Sequence, residues 1–316
     1  MQLKQEILAE LERHGATPVS GQALAQKFGV SRNAVWKAVQ ALKQQGYLIS
    51  SATNRGYQLE PGSDILRADT ISALLQEQLP VYVYSSLDST NSEAKRLLVS
   101  GTRCPFLVAA EEQTDGRGRR GHAFYSPPGA GLYMSLAMSP AAALDHALCV
   151  TAYAAVCTAR AIEQLTGRLC KIKWVNDLYF EEKKVCGILT EAMTDFESGD
   201  VDAVVIGIGV NLHPFAVPED LRDVVGCLDT PAIKNNLAAE ITRQLLRFDA
   251  RDRRFVEEYR RRSMVLGKTV QFTRNGQILC GVATEIDDTG ALHVQLENER
   301  VVLRSGAIQL CADAAR

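Results

Sequence analysis

The chain has 316 residues, 46% of them hydrophobic and 23% charged, with a formal net charge of −2. That length accommodates two or three domains, and the composition is ordinary for a soluble globular protein. So balanced a charge gives no global electrostatic case for nucleic acid, and any basic patch must be local. No apolar run reaches bilayer-spanning length, since the longest, 141–165, carries Asp145, His146, Arg160 and Glu163 and reads as a buried helix. The amino-terminal residues show no signal-peptide pattern, and no membrane partner is expected. Eight cysteines, at 104, 149, 157, 170, 186, 227, 280 and 311, form no C-x-x-C and no regular spacing. Reduced core thiols in a cytoplasmic protein are therefore expected, rather than disulfides or structural zinc.

Residues 1–60 read as a small DNA-binding unit. Leu3, Ile7, Leu8 and Leu11 give a helical apolar stripe that stops at Gly15. Ser20 can cap a second helix carrying Ala23, Leu24 and Phe28, and Gly29 makes a tight turn before Ser31, a second N-cap. On the third helix Val35, Val39 and Leu42 face inward and leave Arg32, Asn33, Lys37 and Gln40 outward. That is a helix-turn-helix with polar and basic side chains on its second member, an arrangement that serves DNA binding and also occurs in protein-contact modules. Segments 47–50 and 57–59, joined by a turn at 53–56 that includes Arg55, form a hairpin, or wing. Seven basic against four acidic side chains give this segment a local excess of three positive charges. Residues 61–64 read as a linker.

From about 65 the pattern mixes strands and helices. A helix is predicted over 71–79, a strand over 81–86 and a helix over 93–98. Between the last two lie Asp88, Ser89, Thr90 and Asn91, which either cap the helix or hydrogen-bond a neutral polar ligand group. Strands are predicted at 106–110, 131–139, 184–191 and 203–209, with the helix 141–165 packed on the sheet. Lys173-Trp174-Val175-Asn176-Asp177 ends a further strand on a lysine, an aromatic and two polar groups. Gly187, Gly207 and Gly209 imply close backbone approach, to a neighbouring strand or to a ligand, and Asn211 stands just beyond. Residues 212–235 are irregular, and 236–248 and 251–263 are amphipathic helices. Beyond 267 four short strands with Asn-Gly-type turns predict a small closed barrel without obvious chemistry.

The segment richest in chemistry is Gly116-Arg117-Gly118-Arg119-Arg120-Gly121, preceded by Gln113. Its glycines free the backbone to approach a ligand, and its arginines supply planar cationic forks for carboxylate or phosphate oxygens. The spacing matches G-x-G-x-x-G, yet Pro127, Pro128 and the following glycines prevent the helix that a dinucleotide site requires. No Walker pattern occurs either. What remains is an anion-binding loop.

Together, the winged helix, Asp88–Asn91, the Gly-Arg loop with Gln113, Lys173–Asp177, the Lys184-x-x-Gly-Ile-Leu189 and Gly207-x-Gly-x-Asn211 runs and the terminal strands resemble a known family. It is the bacterial bifunctional biotin–protein ligase and biotin-operon repressor family, and the likeness spans essentially the whole chain. The resemblance implies an α+β fold with a winged helix-turn-helix (1–62), a class II synthetase-like mixed sheet with helices (63–265) and an SH3-like β-barrel (266–316). It also implies that biotin and ATP give biotinyl-5′-AMP, and that biotin then passes to a lysine of a biotin carboxyl carrier protein. Carried over by residue, Lys173, Arg117 and Arg119 are catalytic. Ser89, Thr90, Asn91, Gln113, Arg117, Gly118, Arg119 and Lys173 hold biotin. Gly116, Arg120, Gly121, Asn176 and Asn211 hold the nucleotide. Arg32, Asn33, Lys37, Gln40 and Arg55 contact operator DNA, with the adenylate-bound protein as a homodimer. Mg²⁺ is expected with the triphosphate, with no protein metal site and no tightly bound cofactor, and Asp177 is a candidate base. Val175 stands where the family usually has proline, His122 and Ala123 where basic residues often follow the loop, and Phe124 where tryptophan is common. Two alternatives are a non-catalytic ligand-sensing transcription factor and a ligase for another carboxylate such as lipoate.

Overall fold

The structure is a computed structural model that describes residues 2–14, 17–44, 47–52, 56–60, 64–139, 147–194, 201–249 and 251–311. The amino-terminal module comprises α1 (Gln2–His14), α2 (Gly21–Phe28), α3 (Arg32–Gln44) and the antiparallel pair β1 (Ile49–Ala52) and β2 (Gly56–Leu59). Ser20 Oγ accepts from the Ala23 N–H at 3.0 Å, and Ser31 Oγ accepts from the Ala34 N–H at 3.1 Å, so both caps form where the hydroxyls sit. Gly29 ends α2 with φ +66°, a left-handed turn that glycine adopts without cost. Ile7, Leu11, Leu24, Val35, Val39 and Leu42 close a separate small core. Glu10, itself buried, pairs with Lys27 and so ties α1 to α2. Val19 pairs with Tyr57 and adds a short third rung beside the wing. The wing's turn, at 53–55, lies outside the described residues.

The central sheet has seven strands in the order β3-β4-β5-β9-β8-β7-β6. They are β3 (Val81–Tyr84), β4 (Phe106–Ala110), β5 (Gly131–Met138), β6 (Lys171–Lys173), β7 (Asp177–Phe180), β8 (Lys183–Thr194) and β9 (Val201–Asn211). β3 and β4 are parallel, joined through α5 (Thr90–Val99), and the other neighbours are antiparallel. Both faces are covered, which is why β4 reads as an unbroken apolar run and β5 and β9 as nearly continuous ones. Leu107, Leu132, Met134, Ile206 and Ile208 face the main core, built with α4 (Ala68–Leu75), α6 (Ala147–Thr166), α7 (Lys234–Leu245) and α8 (Arg254–Arg262). The alternate residues Phe106, Val108, Ala137 and Val205 face α5.

Several boundaries differ from expectation. The helix expected over 71–79 runs from Ala68 to Leu75 and stops where Gln76 turns left-handed, φ +59°. Of the expected linker, 61–63 lie outside the described residues, but Asp64 is buried and anchored, accepting from the Lys234 N–H at 2.7 Å and bonding His213 Nε2 at 2.7 Å. Asn211 is the last residue of β9 rather than beyond it. Only four of the eight cysteines (149, 157, 170 and 186) are buried, and all eight are free thiols.

The carboxy-terminal sheet has five antiparallel strands, one more than expected: β10 (Thr269–Arg274), β11 (Gln277–Ile286), β12 (Leu292–Gln295), β13 (Arg300–Leu303) and β14 (Ile308–Leu310). Its order is β13-β12-β11-β10-β14, and β13 does not pair with β14 among the described residues. The expected closed barrel is therefore, in its hydrogen bonding, an open sheet. Val270, Phe272, Val294 and Ile308 merge with the main core instead of forming one of their own.

Candidate functional site

On the α5 face of the central sheet the side chains shrink along β9 from Val205 to Gly207 to Gly209, beside Gly187 of β8. Two-residue periodicity puts these glycines on one face, and they leave a trough. A Cβ at Gly207 would lie 2.2 Å from Asn91 Oδ1, and one at Gly209 would lie 2.3 Å from the Phe124 ring. The close approach read from the glycines is thus to two side chains of the chain itself. They form the base of a cavity of about 310 Å³.

One wall is neutral and hydrogen-bonded. Ser89, Thr90 and Asn91 are buried at the start of α5, where Ser89 occupies the cap position without making a side-chain cap bond. A routine helix cap does not account for them. Gln113 Oε1 accepts from the Thr90 N–H at 2.9 Å and from Thr90 Oγ1 at 3.1 Å, while Gln113 Nε2 donates to Ser126 Oγ at 2.8 Å. Ser135 Oγ, fully buried on β5, donates to Asn91 Oδ1 at 2.6 Å, and Asn91 Nδ2 donates to Glu191 Oε2 at 2.7 Å. Because a carboxylate only accepts, this arrangement fixes which way the Asn91 amide points. Burial pushes the Glu191 carboxyl up, but the Lys95 ammonium and Asn91 outweigh it and hold it below its ordinary value.

The opposite wall is cationic. The Gly-Arg loop folds back on itself through Gly118 N–H to His122 O (2.7 Å) and Phe124 N–H to Gly116 O (2.8 Å). Arg119 turns inward, donating to Asn176 Oδ1 and to Gly306 O, each at 3.1 Å, and its burial lowers its pKa. Arg117 stays exposed, 3.7 Å from Asp115. Residues 174–176 form a tight turn between Lys173 and Asp177, which pair across β6 and β7. Three partners hold that turn. Trp174 Nε1 donates to Gly290 O at 2.9 Å, Tyr259 donates to Val175 O at 3.0 Å, and Asn176 Nδ2 donates to Ile188 O at 3.0 Å. Lys173 lies over the Tyr179 ring, 5.5 Å from its centroid, and burial depresses its pKa. Asp177 accepts from Lys184 Nζ at 2.7 Å and from Asn176 Nδ2 at 3.0 Å.

Of the residues named from sequence, Ser89, Thr90, Asn91, Gln113, Arg117, Gly118, Arg119, Arg120, Lys173 and Asn176 all line this one cavity. Gly116, Gly121 and Asn211 do not. Gly116 is needed beneath the loop, where a Cβ would meet Phe124 O at 2.3 Å, and Asn211 Nδ2 donates to Gly226 O at 2.9 Å. Arg32, Asn33 and Lys37 are exposed on α3 with Gln40 half-exposed, and Arg55 lies outside the described residues. Lys184 and Phe124 were noted in the sequence without a site role, and Ser135, Glu191 and Gly306–Gln309 of the terminal module were missed. The Lys184-x-x-Gly spacing carried a signal for the first. The Gly306 carbonyl carried none.

Residues 83–211 match the Biotin/lipoate A/B protein ligase family, residues 4–58 an HTH domain, and residues 265–310 the biotin protein ligase C terminal domain. The chain is 30% identical to the bifunctional ligase/repressor BirA of Bacillus subtilis over 98% of both chains. The chain belongs to the biotin protein ligase family. It is likewise 30% identical to the bifunctional ligase/repressor BirA of Escherichia coli, over 86% of this chain and 87% of that one. A solved relative, the biotin protein ligase from Aquifex aeolicus in complex with biotin and ATP, superposes with a TM-score of 0.63 at 25% identity, covering 73% of this chain and 98% of its own. The cavity residues from Ser89 to Gly209 fall inside the ligase-family match, and Gly306–Gln309 fall inside the C-terminal match. No helix among the described residues is long and apolar enough to cross a membrane.

Proposed function

We propose that the cavity joins biotin to ATP, forming biotinyl-5′-AMP and pyrophosphate, and then transfers biotin to a lysine of a biotin carboxyl carrier protein. The observation that carries this reading is one cavity with a neutral hydrogen-bonded wall facing a cationic one. In the first step a carboxylate oxygen attacks the α-phosphorus and the bond to pyrophosphate breaks. Two anions must meet, so positioned cations supply most of the catalysis. Lys173, Arg117 and Arg119 are the natural agents, with Lys184 held beside them by Asp177. Ser89, Thr90, Asn91, Gln113 and Gly118 suit biotin, and Arg120 and Asn176 the nucleotide side, with Gly116 and Gly121 shaping the loop. Asn211 acts from behind, at the end of β9. In the second step the neutral lysine amine attacks the acyl carbon and AMP leaves. Asp177, already engaged by Lys184 and Asn176, is poorly placed to serve as the base. Mg²⁺ enters with the triphosphate, since this ion is usually bound through substrate phosphates and water.

The same chain acts as a repressor when α3 is presented to operator DNA by an adenylate-bound homodimer. We take residues 1–62, 63–265 and 266–316 as the DNA-binding, class II synthetase-like and SH3-like divisions. Biotin-dependent exchange of labelled pyrophosphate into ATP, run in parallel with lipoate and amino acids, tests the chemistry. Exchange with biotin alone is expected. No exchange would leave a ligand-sensing regulator, and exchange with another carboxylate would reassign the substrate. Sedimentation with and without biotin plus ATP tests the dimer, and a monomer under both conditions at micromolar concentration would remove it.

A further inference from the structure

The chain has two tryptophans, and their environments are opposite. Trp174 is 3% exposed with its N–H bonded, whereas Trp36, in the middle of α3, is 51% exposed. At about 100° per residue, with Arg32 set to zero, Lys43, Trp36, Gln40 and Asn33 fall at about 20, 40, 80 and 100°, and Lys37 at about 140°. The buried residues Ala38, Leu42, Val35 and Val39 fall between about 240 and 340°, on the far side. Trp36 therefore lies within the polar face rather than at its edge. α3 carries Arg32, Lys37 and Lys43 and no acidic residue, although the whole chain is slightly negative. A lone exposed apolar side chain is ordinary on a protein surface. A large indole flanked by cations and amides on an acid-free helix face is complementary to a polyanion with apolar groups between its polar edges.

We infer that Trp36 is a sequence-determining contact, packing its indole against a thymine methyl group in the major groove of duplex DNA. This rests on the repressor reading given above and adds to it the base that is read. In the major groove thymine alone presents a methyl, while adenine and guanine edges pair with amide and cationic side chains such as Asn33, Gln40 and Arg32. The flanking cations fix the helix on the phosphates without supplying sequence information. The indole supplies it through contact that hydrogen bonding cannot replace.

The test uses the full chain with biotin and ATP and a pool of random-sequence duplexes, enriched by binding and sequenced. In the enriched duplex each thymine is then replaced by uracil, which removes only the methyl. One position should weaken wild-type binding about four- to tenfold. Trp36→Ala should bind the original duplex as weakly as wild type binds the uracil one and lose its sensitivity to the swap, while Trp36→Phe falls between. Unchanged pyrophosphate exchange in both variants shows that the catalytic site is intact, and an unchanged helical circular-dichroism signal and thermal melt show that the amino-terminal module, which has its own core, still folds. If Trp36→Ala enriches the same sequence and keeps the uracil sensitivity, the inference is wrong and the DNA-binding reading stands. If the wild type enriches no duplex at all, both fall together.

Discussion

The tightest approach in the site is Gly207 against Asn91, and Gly207→Ala puts a number on it. The added Cβ would lie 2.2 Å from Asn91 Oδ1 and 2.8 Å from its Cγ. An unstrained contact needs roughly 3.5 Å, so the amide must retreat by about 1 Å. Its bonds to Ser135 at 2.6 Å and Glu191 at 2.7 Å then lengthen past the limit at which hydrogen bonds hold. Overpacking costs about 1–3 kcal/mol, and each buried polar group left unpaired adds a similar amount. For a domain of this size 2 kcal/mol lowers Tm by roughly 4–8 °C. The KM for biotin in pyrophosphate exchange should rise about ten- to hundredfold, since each 1.4 kcal/mol is a factor of ten. Adding Asn91→Ala removes the clash, so the double variant should regain part of the lost Tm while its biotin KM stays high. A Gly207→Ala protein with wild-type Tm and KM would refute the idea that Asn91 is held against the trough for biotin.

Three further outcomes follow from other parts of the molecule. Burial depresses the Lys173 pKa, so its charge is lost as pH rises through that lowered value, and adenylation should fall on the alkaline side sooner than an ordinary lysine would allow. Lys173→Ala should abolish most exchange, and Lys173→Arg, which stays charged, should lose the alkaline limb; identical pH–rate profiles for Arg and wild type would remove Lys173 from the chemistry. Trp174→Phe keeps an aromatic ring but removes the N–H and part of the buried indole, leaving the Gly290 carbonyl unpaired; the lost bond costs about 1–3 kcal/mol by denaturant titration, with the void adding to it, and kcat should fall more than KM rises because the turn positions Lys173. Lys234, fully buried, pairs with Glu111 at 2.7 Å, so Lys234→Met should destabilise by about 3–5 kcal/mol. Glu111→Gln added to it, still accepting from the Leu66 N–H, should recover part of that loss.

What was legible in the sequence was whatever local chemistry dictates. Ser20, Gly29 and Ser31 punctuate the helix-turn-helix through bonds within three or four residues, so their positions transfer directly from sequence to structure. The Gly-Arg loop and the Lys173–Asp177 turn were legible as motifs, and the structure brings them to one cavity. Partners that meet only through the fold were not. Nothing near Ser135 announces that its hydroxyl will meet Asn91, 44 residues away. Gly187, Gly207 and Gly209 signalled a close approach, but what approaches is set by where α5 and Phe124 land on the sheet. Barrel closure was not legible for a similar reason: strand count and turn type are local, whereas closure depends on whether the edge strands β13 and β14 pair, and among the described residues they do not.

The terminal sheet, which looked chemically silent, is part of the site through its backbone. Arg119 joins three segments at once, since one guanidinium nitrogen donates both to Asn176, 57 residues on, and to Gly306, 187 residues on. A second carbonyl from the same module, Gly290 in the turn between β11 and β12, holds the indole of Trp174 in the turn between Lys173 and Asp177. Tyr259 of α8 holds the next peptide of that turn. Carbonyls are the right groups for this task, because they accept from cation and indole without adding a formal charge that would compete with a carboxylate or phosphate. A carboxylate in place of the Gly306 carbonyl would pair with Arg119 and neutralise it. Arg119 and the Trp174 turn are therefore held by neutral acceptors, whereas Lys184 is held by the Asp177 carboxylate, so the two halves of the cationic wall are positioned in different ways.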